Sequence, residues 1–296
     1  MMSTHRLWVA AAVGTLWLIG GLVYPLLAIA SADLSAFQIT AVRTTGAMLM
    51  TTPVLLSRVR GRLLHVMTPR VIWVNVVAAV AFYPIGNGLL TFASARLPSA
   101  VSALAFSLFP VLAAVVTVMR GELLGRLVWL GMFGAGVSMA GVVGAPDADV
   151  PLLPLFAALA SVVFWFAGTE FWSKRDRETE LMASVWIQLL IGSIACWVLV
   201  IATGDPIPSA DDMLQPVMLL LAFSQFIQHV AYLGIAGRIS PLILTSFAYV
   251  NPVVAAFTGY VLLEQELSAF QIGASLSLLV SVVLVVRGAV TPRSRA

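Results

Sequence analysis

Ten apolar runs of roughly twenty residues succeed one another along the chain, separated by short connections that hold most of the charge. They cover about 7–30, 35–57, 70–93, 98–119, 126–144, 151–172, 182–203, 214–236, 240–262 and 267–287. At a rise of about 1.5 Å per residue, a helix of this length crosses a hydrocarbon layer of about 30 Å. The pattern therefore predicts an all-α integral membrane protein of ten transmembrane helices. The first run is too long for the apolar region of a signal peptide and lacks a clear small-x-small cleavage site, so it reads as a first span.

Composition agrees. Hydrophobic residues make up 60% of the chain and charged residues 10%, with a mean hydropathy of +1.02. That leaves too little charge for the skin of a soluble domain. The single cysteine, Cys196, excludes an intrachain disulfide and a cysteine-rich metal site, and fits a small apolar position in a helix. There is no clustered set of carboxylates at one depth, no metal-ligand spacing and no phosphate-cradling glycine loop. The chain is thus expected to be no enzyme, and to use neither cofactor nor metal.

Basic residues set the orientation. With the N-terminus inside, cytoplasmic segments hold Arg6, Arg58, Arg60, Arg62, Arg70, Arg120, Arg126, Lys174, Arg175, Arg177, Arg238, Arg287, Arg293 and Arg295. Arg96 alone falls in an outer loop and Arg43 within a span. Asp33, Asp147, Asp149, Asp205, Asp211, Asp212, Glu264 and Glu266 fall outside. Both termini are expected in the cytoplasm, and the formal charge of +3 reflects topology rather than nucleic-acid binding.

The chain also repeats itself. "LFPVLAAVVTVMRGE" (108–122) and "VNPVVAAFTGYVLLE" (250–264) share proline, valine, an Ala-Ala pair and glutamate. At the same offset Arg96 meets Arg238 and Gly131 meets Gly273, while Trp17 meets Trp165 at a slightly larger one. The division falls at 1–147 and 148–296, with five spans in each half. Since five is odd, the second half enters the membrane upside down, the arrangement of carriers that alternate access around a midplane site.

The fourth and ninth spans, reading Arg96…Pro110-Val111…Ala113-Ala114…Glu122 and Arg238…Pro252-Val253…Ala255-Ala256…Glu264, carry a further likeness. With two five-span halves, the chain resembles the EamA-type branch of the drug/metabolite transporter superfamily. The resemblance implies helices one to four and six to nine around a central cavity, with five and ten packed outside. It also implies export or exchange of small metabolites, often amino acids.

Polar residues inside the spans mark candidate sites, because in hydrocarbon they must face protein or water. Gln225, Gln228, His229 and Tyr232 share one face of span eight at i, i+3, i+4 and i+7. Their repeat mates Tyr83, Gly86, Asn87 and Leu90 share one of span three. The alternative is helix–helix hydrogen bonding, but four such groups on one face favour a cavity wall. Trp17 and Trp165 lie near the midplane, away from the interfaces that aromatic residues usually occupy. They suit an apolar or aromatic substrate, or a cation over the ring. Tyr249 of span nine joins these as a substrate-binding candidate. Arg43 either snorkels outward or contacts an anion, and the plain Leu189 at its repeat position favours the structural role. Glu170 lies four residues before Lys174, a helical ion pair rather than a proton relay.

Pro110 and Pro252 each remove a backbone hydrogen bond near the bilayer centre and are the candidate hinges. Glu122 and Glu264 close their spans at opposite surfaces. The small-residue rows Gly131/Ala135 and Gly273/Ser277/Ser281 permit close packing, with a homodimer contact as the alternative. The expected function is a secondary carrier of small metabolites, exporting amino acids with apolar or aromatic side chains. The rivals are a carrier of nucleotide-sugar, phosphorylated or lipid-linked substrates, which would want several inward cations, and a non-transporting scaffold. The expected partners are a small-molecule substrate and the lipid bilayer of the inner membrane.

Overall fold

The computed structural model describes residues 4–59, 68–106, 108–143, 151–175, 180–236, 238–245, 247–265 and 269–290. Arg60, Arg62, Asp147, Asp149, Arg177, Glu266, Arg293 and Arg295, used above for orientation, lie outside these residues, as does the boundary between the halves. Among the described residues all regular structure is helical. The elements are α1 (Thr4–Ala30), α2 (Ala36–Val59), α3 (Pro69–Val80), a π-helical segment (Ala81–Asn87), α4 (Gly88–Ser94), α5 (Ser99–Ala105), α6 (Leu108–Met119) and α7 (Arg126–Val143). There follow α8 (Leu152–Arg175), α9 (Leu181–Ala202), α10 (Ala210–Met213), α11 (Pro216–Ile235), α12 (Pro241–Leu244), α13 (Phe247–Leu263) and α14 (Ala269–Val290).

Among the described residues seven helical stretches are long and apolar enough to cross a membrane: Leu7–Ala30, Ala36–Arg58, Pro69–Ser94, Ser99–Met119, Leu152–Arg175, Leu181–Ala202 and Pro216–Ile235. Phe247–Leu263 and Ile272–Val285 are apolar but shorter. Lipid offers the main chain no hydrogen bonds, so these segments satisfy their own backbone as helices. Their ends are fixed locally. The Thr68 side chain accepts from Val71 N ahead of Pro69, and the Glu180 carboxylate accepts from Ala183 N at 3.0 Å. Large apolar side chains face outward, including Leu18, Phe133, Ile201 and Phe257, each at least 65% exposed. A protein in water would bury such a surface, whereas acyl chains match it.

In the predicted fourth span α5 ends at Ala105 and Phe106 forms a turn before α6 begins at Leu108. In the ninth α12 ends at Leu244 and Thr245 forms a turn before α13 begins at Phe247, with Ser107 and Ser246 outside the described residues. Pro110 therefore sits in the first turn of α6, where its missing N–H costs no helical bond. Phe106 O, expected to be freed by that proline, accepts from Phe109 N at 2.9 Å. Pro252 lies within α13.

The helices interlock across the chain. α1 packs chiefly on α11 and α13, α8 packs on α3, the π segment and α4, with further contacts to α5 and α6, α2 packs on α9, and α7 packs on α14. The α7–α14 contact uses the small residues noted above. A Cβ on Gly131 would stand 2.6 Å from Ser281 O, and one on Gly134 2.6 Å from Ser281 Oγ. Ser138 donates to Ser277 across the same seam at 2.9 Å. Gly273 faces open space.

Candidate substrate site

A cavity of about 80 Å³ lies at the centre of the bundle. α1 contributes Leu16, Gly20, Val23 and Tyr24, α2 contributes Arg43, and the π segment with α4 contributes Tyr83, Asn87 and Leu90. Phe106 at the end of α5, Trp165 of α8, and Leu221, Gln225, Gln228, His229 and Tyr232 of α11 continue the wall. Phe247 and Asn251 of α13 complete it. Phe106 lies in the turn after α5 and Phe247 begins α13, so both turns border the same space.

Two hydrogen-bonded chains hold the polar wall in place. In the first, Trp165 Nε1–H donates to Asn87 Oδ1 at 3.1 Å, Asn87 Nδ2 donates to Gln225 Oε1 at 3.5 Å, and Gln225 Nε2 donates to Thr44 Oγ1 at 3.1 Å. In the second, Gln188 Nε2 donates to Asn75 Oδ1 at 2.7 Å, and Gln188 Oε1 lies 2.9 Å from His229 Nε2. Since Gln188 Oε1 can only accept, His229 Nε2 carries the hydrogen and, in the neutral ring, Nδ1 is the acceptor nitrogen. The first chain ties four helical segments together and the second three, and each donor in them has a definite direction.

Aromatic rings fill the remainder. Trp165 lies 4.6 Å from Phe82 between ring centroids and meets the edge of Tyr232 at 5.7 Å. Glycine makes room for these rings. A Cβ on Gly86 would stand 2.6 Å from Trp165 Cδ1, and one on Gly192 2.1 Å from Tyr83 Cδ2. The π segment, with Pro84 inside it, carries Tyr83 and Asn87 into the cavity; such widened turns recur at functional sites.

The sequence candidates Arg43, Tyr83, Asn87, Trp165, Gln225, Gln228 and His229 thus converge on one cavity. Trp17, Tyr249, Pro110 and Pro252 do not line it. Trp17 is half-buried and Tyr249 fully buried, and Trp17 Nε1 and Tyr249 Oη are enclosed without a hydrogen-bond partner. The face that α1 turns inward is set by its contact with α13. Asn251, oriented so that its amide nitrogen donates, reaches Leu16 O at 3.1 Å, Trp17 O at 3.2 Å and Phe247 O at 3.1 Å. Its side chain fills the space that a Cβ on Gly20 would need, while Val254 does the same over Gly21. Asn251, Gln188, Asn75 and Thr44 were not singled out from sequence. Their signal was only that of isolated polar residues within apolar runs.

A second cavity of about 190 Å³ adjoins the first and is lined by Arg120, Phe166, Thr169, Glu170, Ser173, Lys174, Tyr232, Ile239, Leu244 and Thr245. Tyr232 borders both spaces, and its hydroxyl is 2.7 Å from Thr169 Oγ1, so this pair forms a partition between them. Beyond it Glu170 is ion-paired to Arg120 at the end of α6 and to Lys174, the latter at 3.2 Å. The helical pair expected from sequence is present, with a second cation joined to it from another helix. Glu122 and Glu264 line neither cavity. Glu264 ends α13 in the left-handed region, with φ 53°.

Known proteins share this architecture. A solved crystal structure covers 98% of this chain and 99% of its own length with a TM-score of 0.71 at 19% identity, a likeness of fold alone. The uncharacterized inner membrane transporter YedA of Escherichia coli strain K12 is 27% identical over 212 residues, 69% of this chain and 67% of the relative. YedA of Escherichia coli O157:H7 gives the same figures. Residues 152–287 match the EamA-like transporter family. A helical bundle around a polar-walled cavity, a second half similar to the EamA-like transporter family and an inner membrane transporter among its relatives together support reading the chain as a membrane transporter.

Proposed function

We propose that this membrane transporter is a secondary carrier of the inner membrane that exports small metabolites, amino acids with apolar or aromatic side chains among them, by alternating access. Its two halves, 1–147 and 148–296, act as inverted five-helix repeats in a ten-helix bundle with both termini in the cytoplasm. The observation that carries this reading is the central cavity, walled by residues of both halves and bordered by the turns in spans four and nine. Discontinuous helices at a midplane cavity are the building plan of carriers that rock one repeat against the other. The packing pattern supports the repeat. Exchanging spans one to five with six to ten turns the contacts of α1 with α11 and α13 into those of α8 with spans three and four. It leaves the α2–α9 and α7–α14 contacts in place.

The substrate contacts of this reading are Tyr83, Asn87, Trp165, Gln225, Gln228 and His229. Trp17 and Tyr249 join them as α1 and α13 reorient, and Pro110 and Pro252 serve as hinges. The test is counterflow in liposomes holding the purified chain, screened over amino acids, amines and nucleosides at two pH values. Saturable flux is expected, lost in Trp165→Ala, His229→Ala and Trp17→Ala with membrane insertion intact. An absence of flux with every substrate would overturn the carrier reading, and wild-type flux in all three variants would overturn the site.

A further inference from the structure

The positive charge in the central cavity has no partner. Arg43 is 3% exposed and lines the cavity, and its Nε is fully enclosed with no acceptor. Its guanidinium makes no hydrogen bond or ion pair among the described residues. A guanidinium keeps its proton in a protein, so burial cannot neutralise it. Leaving it unpaired costs several kcal/mol, to order of magnitude. No aspartate or glutamate among the described residues lines the cavity, and Glu170 beyond the partition is held by Arg120 and Lys174. The amide oxygens of Asn87, Gln225 and Gln188 are all taken by the two hydrogen-bonded chains. What stays available is mainly donor, the guanidinium, the unpartnered Tyr83 hydroxyl and the Gln228 amide, beside the acceptor nitrogen Nδ1 of His229.

We propose that the cavity takes a small organic monoanion, a single carboxylate on an apolar or aromatic body with no ammonium group to balance it, and that Arg43 holds the carboxylate. This rests on the carrier reading above, its central cavity and its transport cycle, and replaces the amino acids named there with metabolites that lack the ammonium group. The charge count decides the class. The cavity wall carries +1 from Arg43. A monocarboxylate brings it to zero, a zwitterionic amino acid leaves it at +1 and an amine raises it to +2. In a low-dielectric site the neutral sum is favoured, since every uncompensated charge keeps its desolvation cost. Aromatic faces such as Trp165 and Phe247 attract an ammonium only weakly beside a full ion pair. Leu16, Val23 and Leu90 give the rest of the wall an apolar surface for the body of the substrate. The cavity's 80 Å³ is well below the roughly 300 Å³ where drug-sized sites begin, which favours a small ligand and requires the wall to open around a body such as phenyl or isobutyl.

Two matched series test this on the full purified chain: 3-phenylpropanoate, phenylalanine and phenethylamine, and 4-methylpentanoate, leucine and 3-methylbutylamine. Within each series the body is held and the charge changes. Binding is read from tryptophan fluorescence and thermal shift, and transport from counterflow at pH 8 against protein-free liposomes. In at least one series the carboxylate is expected to bind ten-fold or more tighter than the amino acid, with the amine weakest. Arg43→Gln should abolish that ranking, and Arg43→Lys should retain part of it. Arg43→Gln should also leave the empty protein as heat-stable as the wild type or more so, whereas a structural arginine would lower its melting temperature. The proposal is overturned if neither carboxylate binds, if an amino acid or amine binds as tightly, or if Arg43→Gln keeps wild-type carboxylate affinity. Saturable counterflow of an amino acid or amine in Arg43→Gln would overturn it while leaving the carrier reading in force. Carboxylate binding without counterflow of any compound would support the site and remove the carrier reading.

Discussion

Replacing Gly192 by alanine probes the site without any knowledge of the substrate. A Cβ at that position would stand 2.1 Å from Tyr83 Cδ2, 2.6 Å from Cγ and 2.9 Å from Cε2. Carbon atoms in contact sit about 3.5–4.0 Å apart, so the ring must retreat by roughly 1.4 Å. The free space beside it is that of the central cavity it lines, so a retreat there narrows the site. Tyr83 is wholly buried, and its ring centroid lies 5.4 Å from that of His229, which is itself held through Gln188. Overpacking of this kind costs about 1–3 kcal/mol, a drop of a few degrees in melting temperature. The assay is thermal unfolding of the detergent-purified protein, repeated in Tyr83→Phe and Tyr83→Ala backgrounds. Tyr83→Phe keeps the ring, and the hydroxyl it removes has no partner; Gly192→Ala should cost as much there as in the wild type. Tyr83→Ala is itself destabilising but opens the space, and Gly192→Ala on top of it should add less than about 0.5 kcal/mol. An unchanged melting temperature in the single variant, or an equal loss in all three backgrounds, would refute the packing argument.

Three further outcomes are expected. Gln188→Leu strands His229 Nε2–H and removes the donor that Gln188 gives to Asn75 Oδ1, and should cost about 1–3 kcal/mol. Thermal unfolding reads the loss, and a smaller one is expected when the change is made in a His229→Leu background. Glu170→Gln removes the partner of both Arg120 and Lys174. These groups are partly exposed, so the melting temperature should fall only slightly, and the difference should fade at high salt as the pair is screened. Glu264→Gly relieves a left-handed backbone at an exposed position, with φ 53°, and should raise stability by about 1 kcal/mol in the same measurement.

The parts of the molecule that sequence made legible are those that lipid dictates. A run of twenty apolar residues has few alternatives to a helix in a bilayer, so the long spans could be read directly. The same physics makes Asn87, Gln225 and His229 conspicuous, since each is a costly group wherever it does not face protein or cavity. The partners of those groups were less visible. Thr44, Asn75 and Gln188 stand on separate helices, and each gains meaning only from a contact formed in three dimensions. The Glu170–Lys174 pair lay within one helical turn and could be foreseen, whereas Arg120 reaches Glu170 only because α6 ends beside α8.

Helix rotation and helix interruption are the other hidden quantities, and both bear on the mechanism. Periodicity groups Trp17, Gly21 and Tyr24 on one face of α1, but it cannot say which way that face turns. The decision belongs to α13, whose Asn251 and Val254 occupy the space beside Gly20 and Gly21, so that Leu16, Gly20, Val23 and Tyr24 meet the cavity. A proline likewise announces a weakness without locating it. The turns fall after Ala105 and Leu244, and the carbonyl of Phe106 is satisfied within three residues by Phe109 N. The two turns are not at equivalent points in the halves. By the offset that pairs Pro110 with Pro252, Ala105 corresponds to Phe247, which already belongs to α13. On the carrier reading proposed above, halves whose equivalent spans turn at different positions would present unequal walls to the two sides of the membrane. That is the inequality expected of one end state, and exchanging it between the halves would define the other.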